Sequence, residues 1–83
     1  MEIRVLYFAA AREAVGVGDE TVEVPDGLDV AALMRLLAER HPGAGRVLGR
    51  CRLAVDRALA NPSDPVPAGA EVALIPPVSG GSA

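Results

Sequence analysis

The sequence predicts an α+β domain, a small mixed sheet with one main helix packed on one face. Three observations predict it. Apolar and polar residues alternate with the period of a strand in four short stretches. Only one stretch, after Asp29, carries a long helical apolar face. The two strands richest in apolar residues lie at opposite ends of the chain, with the helix between them. They should therefore sit side by side, and parallel, in the sheet centre.

The elements follow in order. Ile3, Val5 and Tyr7 alternate with Arg4, Leu6 and Phe8, giving a first strand. Ala9 to Val15 is rich in helix formers and stops at Gly16, giving a short helix. Glu20 to Val24 alternates again and ends at the turn signature Pro25-Asp26-Gly27. Asp29 is a good N-cap. Val30, Leu33, Met34 and Leu37 then form one face of a helix that runs to Arg40 or His41, where Pro42-Gly43 stops it. Gly45 to Arg50 suits one irregular helical turn. Cys51 to Asp56 reads as a third strand, with Leu53 and Val55 on one side. Asn61 to Gly69 holds three prolines and reads as a loop, and Glu71 to Ile75 is a last strand. The result is the β-grasp arrangement of ubiquitin-like proteins. Residues 1–75 form the domain, and residues 76–83 form an exposed, flexible tail, because prolines lack donors and ordered glycines lose much entropy.

Composition sets further bounds. A chain of 83 residues has room for one modest core. Aromatics make up 2%, only Tyr7 and Phe8, so the core must be aliphatic. The net charge of −3 gives no basic surface for nucleic acid. All eight cations besides His41 are arginines, so no lysine is available for a Schiff base or an isopeptide bond. The opening reads as a strand rather than a leader, and no apolar run is long enough to span a membrane. A cytoplasmic protein is the expectation.

The two sheet faces differ in role. Ile3, Val5 and Tyr7 should face the helix, which sends Leu6 and Phe8 outward. Val72 and Leu74 should point inward, which places Ala73 and Ile75 outward beside Leu6 and Phe8. Scattered surface hydrophobics are common. Four in one place, including the one Phe of the chain, favour a docking patch for a partner protein.

Several segments together carry a family resemblance. They are Val5-Leu6-Tyr7-Phe8-Ala9, Arg12-Glu13 with Gly16, Leu53-Ala54-Val55, Gly69-Ala70-Glu71-Val72-Ala73, and Ile75-Pro76-Pro77-Val78-Ser79-Gly80-Gly81. They resemble the small, sulfur-carrying subunits of molybdopterin synthase, ubiquitin-like proteins that end in Gly-Gly. The resemblance covers nearly the whole chain, and the Pro-Pro-Val-Ser-Gly-Gly ending is its specific part. It implies that Gly81 is adenylated by an ATP-using, ubiquitin-activating-type adenylyltransferase and then becomes a thiocarboxylate, with Gly80 as its spacer. It further implies sulfur transfer to cyclic pyranopterin monophosphate within a heterotetramer containing the large synthase subunit. Partner contact is expected from Leu6, Phe8, Arg12, Ala73, Ile75, Pro76, Pro77, Val78 and Ser79. No metal or cofactor is expected on this chain. Two other readings stay open. One is a carrier for thiamine, cysteine or tRNA thiolation, and the other is a non-catalytic interaction module.

The pattern departs from the family at three points. Ser82 and Ala83 follow Gly81, so a free carboxylate there requires their removal. Asp56 stands where relatives often carry Asn, and Ala70 where an Asp often precedes the Glu. Two other residues read as structural. Arg50 and Arg52 flank Cys51 and could lower its pKa, yet side-chain alternation points them the other way, and His41 suits the C-terminal end of a helix dipole.

Overall fold

β1 (Glu2–Tyr7) buries Ile3, Val5 and Tyr7 and turns its alternate residues outward, the period-2 pattern its sequence carries. α1 (Ala9–Val15) follows at once and ends at Gly16, whose φ of 94° lets its N–H donate back to the Arg12 carbonyl at 2.8 Å. β2 (Asp19–Glu23) returns antiparallel to β1. In α2 (Val30–Arg40) the Asp29 carboxylate accepts from the Ala32 N–H at 2.8 Å, the expected N-cap. A 3₁₀ turn at Pro42–Ala44 leads into α3 (Gly45–Leu48). β3 (Arg52–Val55), β4 (Ala58–Leu59) and β5 (Glu71–Ile75) complete the chain. This computed structural model describes residues 1–77. Val78, Ser79, Gly80, Gly81, Ser82 and Ala83, where the tail was expected, lie outside the described residues.

The sheet order is β2-β1-β5-β3-β4. The first and last strands are parallel neighbours, as expected, with Val5 opposite Val72 and Leu6 opposite Ala73. β3 flanks β5 antiparallel, with Arg52 opposite Ile75. The core is aliphatic apart from Tyr7: Leu33 and Leu37 of α2 meet Ile3, Val5, Val72 and Leu74 of the sheet.

The structure corrects three expectations. Phe8 does not extend the first strand, which ends at Tyr7. Phe8 precedes α1, and Ala9 beside it takes a left-handed φ of 49°. There are five strands among the described residues, not four. β4 is two residues long and is reached through Asp56 and Arg57, both at positive φ (49° and 74°). That is hairpin geometry, but the usual Asn-Gly or Asp-Gly signature is absent. The helix layer is also not α2 alone, since Ala11 of α1 and Leu48 of α3 are fully buried in the same core. Within the Pro-rich loop, Val66 is buried and Pro65 bridges to Asp29, so this segment closes one edge of the core.

Candidate functional site

The open face of the sheet is where the expected docking residues gather. Cross-strand partners share a face, so one row runs Asp19, Leu6, Ala73, Ala54, Leu59 across all five strands. The next row toward the end of β5 pairs Ile75 with Arg52. Phe8 is 48% exposed, Ile75 40% and Leu59 60%, which makes them three of the four large apolar side chains most open to solvent among the described residues. Leu6 and Ala73 are half-buried between them. Ala54 in this row is buried, so the exposed apolar surface is carried by Phe8, Ile75 and Leu59, with Arg4 and Asp19 paired at its polar margin.

Arg12 joins this face from α1. It shares a shallow depression of about 290 Å³ with Leu6, Phe8 and Asp19. The Arg12 side chain lies against Gly18, where a Cβ would stand in ordinary contact with its Nε at 3.4 Å. Pro76 and Pro77 continue from β5 into a smaller depression lined by Ala10, Val47 and Arg50. The structure therefore brings Leu6, Phe8, Arg12, Ala73 and Ile75 to one end of the open face and starts the tail at that end. Gly80, Gly81, Val78 and Ser79 lie outside the described residues.

Sequence reasoning missed Leu59 and Ala54 on this face. Ala54 reads as part of the third strand and of the Leu53-Ala54-Val55 resemblance, neither of which assigns it to a docking face, and Leu59 lies on a strand too short to show a period. A second cluster was missed as well. The Glu20 carboxylate, 16% exposed, accepts from the Tyr7 hydroxyl at 2.6 Å and from Arg40 Nε at 3.1 Å, and lies 2.6 Å from His41 Nε2. His41 also meets Tyr7 edge-on, with ring centroids 5.8 Å apart. Burial alone would raise the Glu20 pKa, but the hydrogen bonds from Tyr7, His41 and Arg40 and the charge of His41 bring it below its ordinary value. The Tyr7 hydroxyl moves the other way, because burial and the bond to Glu20 disfavour its ionisation. This cluster ties β1, β2 and the end of α2 together on the side away from the open face.

The Cys51 thiol donates to the Val47 carbonyl at 3.4 Å, and burial pushes its pKa up. It is a packed thiol rather than a reactive one. Among the described residues no three of His, Cys, Asp and Glu gather to hold a metal, and no helix is long and apolar enough to cross a membrane.

A helix layer on one side, parallel terminal strands in the centre and a chain end leaving beside an open apolar face define a β-grasp protein of the ubiquitin-like kind. Comparison with known proteins narrows the class. Residues 5–81 match the ThiS family. The molybdopterin synthase sulfur carrier subunit of Chlamydomonas reinhardtii is 40% identical over 83 residues, covering 98% of this chain and 100% of that one. SAMP1 from Haloferax volcanii superposes with a TM-score of 0.84 at 26% identity, over 96% of this chain and 99% of that one. A chain from the complex of subunits 1 and 2 of the molybdopterin-converting factor of Helicobacter pylori gives 0.69 at 25% identity, over 96% and 99%. The chain belongs to the ThiS family, among the molybdopterin synthase sulfur carrier subunits.

Proposed function

We propose that this chain is the sulfur carrier subunit of a molybdopterin synthase and that Gly81 bears the sulfur. The observation that carries the reading is the likeness to carrier subunits over nearly the whole chain, running through the Pro76-Pro77-Val78-Ser79-Gly80-Gly81 ending. The Gly81 carboxylate attacks the α-phosphorus of ATP on an adenylyltransferase, and pyrophosphate leaves. A donor of sulfide-level sulfur then displaces AMP, the new carbon–sulfur bond replacing the acyl–phosphate bond, and leaves a thiocarboxylate. The thiocarboxylate sulfur bonds to cyclic pyranopterin monophosphate in the large subunit, water cleaves the resulting acyl–sulfur bond and returns the Gly81 carboxylate, and two such transfers build the dithiolene. Glycines at the reacting end suit this route because backbone without side chains passes a narrow channel. The domain of residues 1–75 presents the tail, and the large subunit supplies the remaining groups of the sulfurtransferase, so the small subunit alone does not turn over.

The open face is the docking surface in this reading. Phe8, Leu6, Ala73 and Ile75 form its apolar centre, Arg12 stands at its margin, and Pro76 and Pro77 stiffen the exit of the tail. The Helicobacter pylori neighbour comes from a two-subunit complex, which supports a large-subunit partner, and a heterotetramer with a small subunit at each end follows from the family resemblance. The reactions are cytoplasmic ones.

Because Ser82 follows Gly81, activation requires hydrolysis of the Gly81–Ser82 bond. The test is the intact mass of the protein from its own host, before and after incubation with the adenylyltransferase, ATP and a sulfur donor. The expected species ends at Gly81 and gains the mass of one oxygen-to-sulfur exchange. A chain that keeps Ser82 and Ala83 in the host and never changes mass overturns the carrier reading in favour of an inert interaction module.

A further inference from the structure

Charge in this acidic chain is spread unevenly over the two ends of the sheet. β1 and β5 run parallel and begin at an end that carries Glu2 and Glu71, with Glu23 opposite Glu2 and paired with the N-terminal ammonium at 2.9 Å. At the other end, where the chain leaves β5, the acids of β2 are already neutralised. Asp19 is paired with Arg4, and Glu20 with Arg40 and His41. Three exposed arginines at this end, Arg12, Arg50 and Arg52, form no ion pair among the described residues, and two of them, Arg50 and Arg52, flank the end of β5.

Their placement brackets the exit. Arg52 is the cross-strand partner of Ile75, so it lies on the open-face side of the last residue of β5. Arg50 lines the depression of about 180 Å³ that holds Pro76 and Pro77 against Ala10 of α1 and Val47 of α3, on the helix side. No acidic residue occurs in positions 40–55 or 72–83. The acid of the neighbouring element is Glu13 of α1, one turn beyond Ala10, and it pairs with neither arginine among the described residues.

We propose that Arg50 and Arg52 form a cationic bracket astride the root of the tail. The bracket docks on carboxylates at the mouth of the channel through which the large subunit admits the tail. The inference rests on the carrier reading and adds the chemistry of the surface that meets the chain. Positions 78–81 can span at most about 14 Å, so the bracket reaches the mouth of a channel rather than the reacting carbon at its floor. Guanidinium groups suit the task, since each can hold a carboxylate with two parallel hydrogen bonds. Two unneutralised cations beside the inserting segment orient the approach before the apolar face makes contact. Their effect should therefore appear in the association rate and in its salt dependence.

The experiment measures association and dissociation rates with the large subunit from the same source, at low and high ionic strength. Arg50→Glu and Arg52→Glu should each slow association about tenfold at low salt, and the difference from wild type should shrink at high salt. Arg35→Glu, an equal charge change on the exposed side of α2, should leave the rate near wild type. Thermal melts check that each variant is folded. Two results overturn the bracket: folded Arg50→Glu and Arg52→Glu chains that associate like wild type, or an Arg35→Glu chain slowed as much as they are. Wild-type chain that fails to bind the large subunit at all removes the carrier reading, and the bracket with it. Binding by wild type that is lost in Phe8→Asp but untouched in the arginine variants removes the bracket alone.

Discussion

Glu20 shows how much one side chain decides in a core with a single Tyr. It is the shared acceptor for Tyr7, Arg40 and, at 2.6 Å, His41, and so joins three elements through one carboxylate. Its pKa lies below the ordinary glutamate value in the folded chain. A carboxylate depressed by folding contributes stability above its unfolded pKa and loses it as the pH falls through the folded one. Glu20→Gln should therefore cost about 2 kcal/mol at neutral pH, since hydrogen bonds to a charged group are among the stronger ones. The gap from wild type should narrow as the solution is acidified. Chemical denaturation from neutral pH downward checks both statements, and a pH-independent gap would mean that the charge of Glu20 contributes nothing. Ala9 lies at the same scale. Its left-handed φ of 49° costs about 1 kcal/mol for a residue with a Cβ, and this turns the chain into α1 directly after Phe8.

At the scale of elements, the open face depends on strand register. Leu6, Ala73, Ala54 and Leu59 align only because β1, β5, β3 and β4 pair as they do, and a slip of one residue would bury them. Phe8→Asp and Leu59→Asp place a charge on this surface without touching the buried face. Each should weaken large-subunit binding at least tenfold, the cost of placing an unpaired charge in a desolvated contact, while the melting temperature stays within a few degrees of wild type. Titration calorimetry and a thermal melt on the same samples check this. Unchanged binding in both variants would remove the open face as the docking surface. A collapse of the melt would instead show that these residues belong to the core.

The whole molecule divides its labour between a packed domain and the residues that follow it. Deleting Gly81 and everything after it should leave the melt unchanged, since every residue of the core cluster precedes Ile75. The same deletion should abolish sulfur transfer to the pterin precursor in a reconstituted synthase. A truncated chain that still supports molybdopterin formation would show that sulfur is carried elsewhere. Salt dependence belongs to this scale too, because charges such as Arg50 and Arg52 act before contact and the apolar face after it.

Much of the fold was legible in the sequence. Strand alternation in β1 and β5, the Asp29 cap, the apolar face of α2 and the Gly16 stop each encode a local preference, and each holds. The parallel pairing of the chain ends followed from one helix lying between two apolar strands. The proposed reacting end at Gly81 rests on family resemblance, because two glycines have no pattern that spacing can read and they lie outside the described residues. What escaped was non-local. β4 has two residues and a turn without glycine, so nothing in its own sequence marks it, and its pairing with β3 exists only once Leu59 meets Ala54. His41 reads only as a residue at a helix end, and nothing marks Glu20 as a partner of Arg40 or His41, until packing brings positions 20 and 21 residues apart within hydrogen-bond reach. Arg50 and Arg52 are likewise two charges among eight until β3 is set against β5 and places them on either side of the chain's exit. Periodicity, caps and breakers act between neighbours along the chain, so the sequence alone determined the elements and their faces. Charge partners and rows across a sheet act between segments, and only tertiary packing decided those.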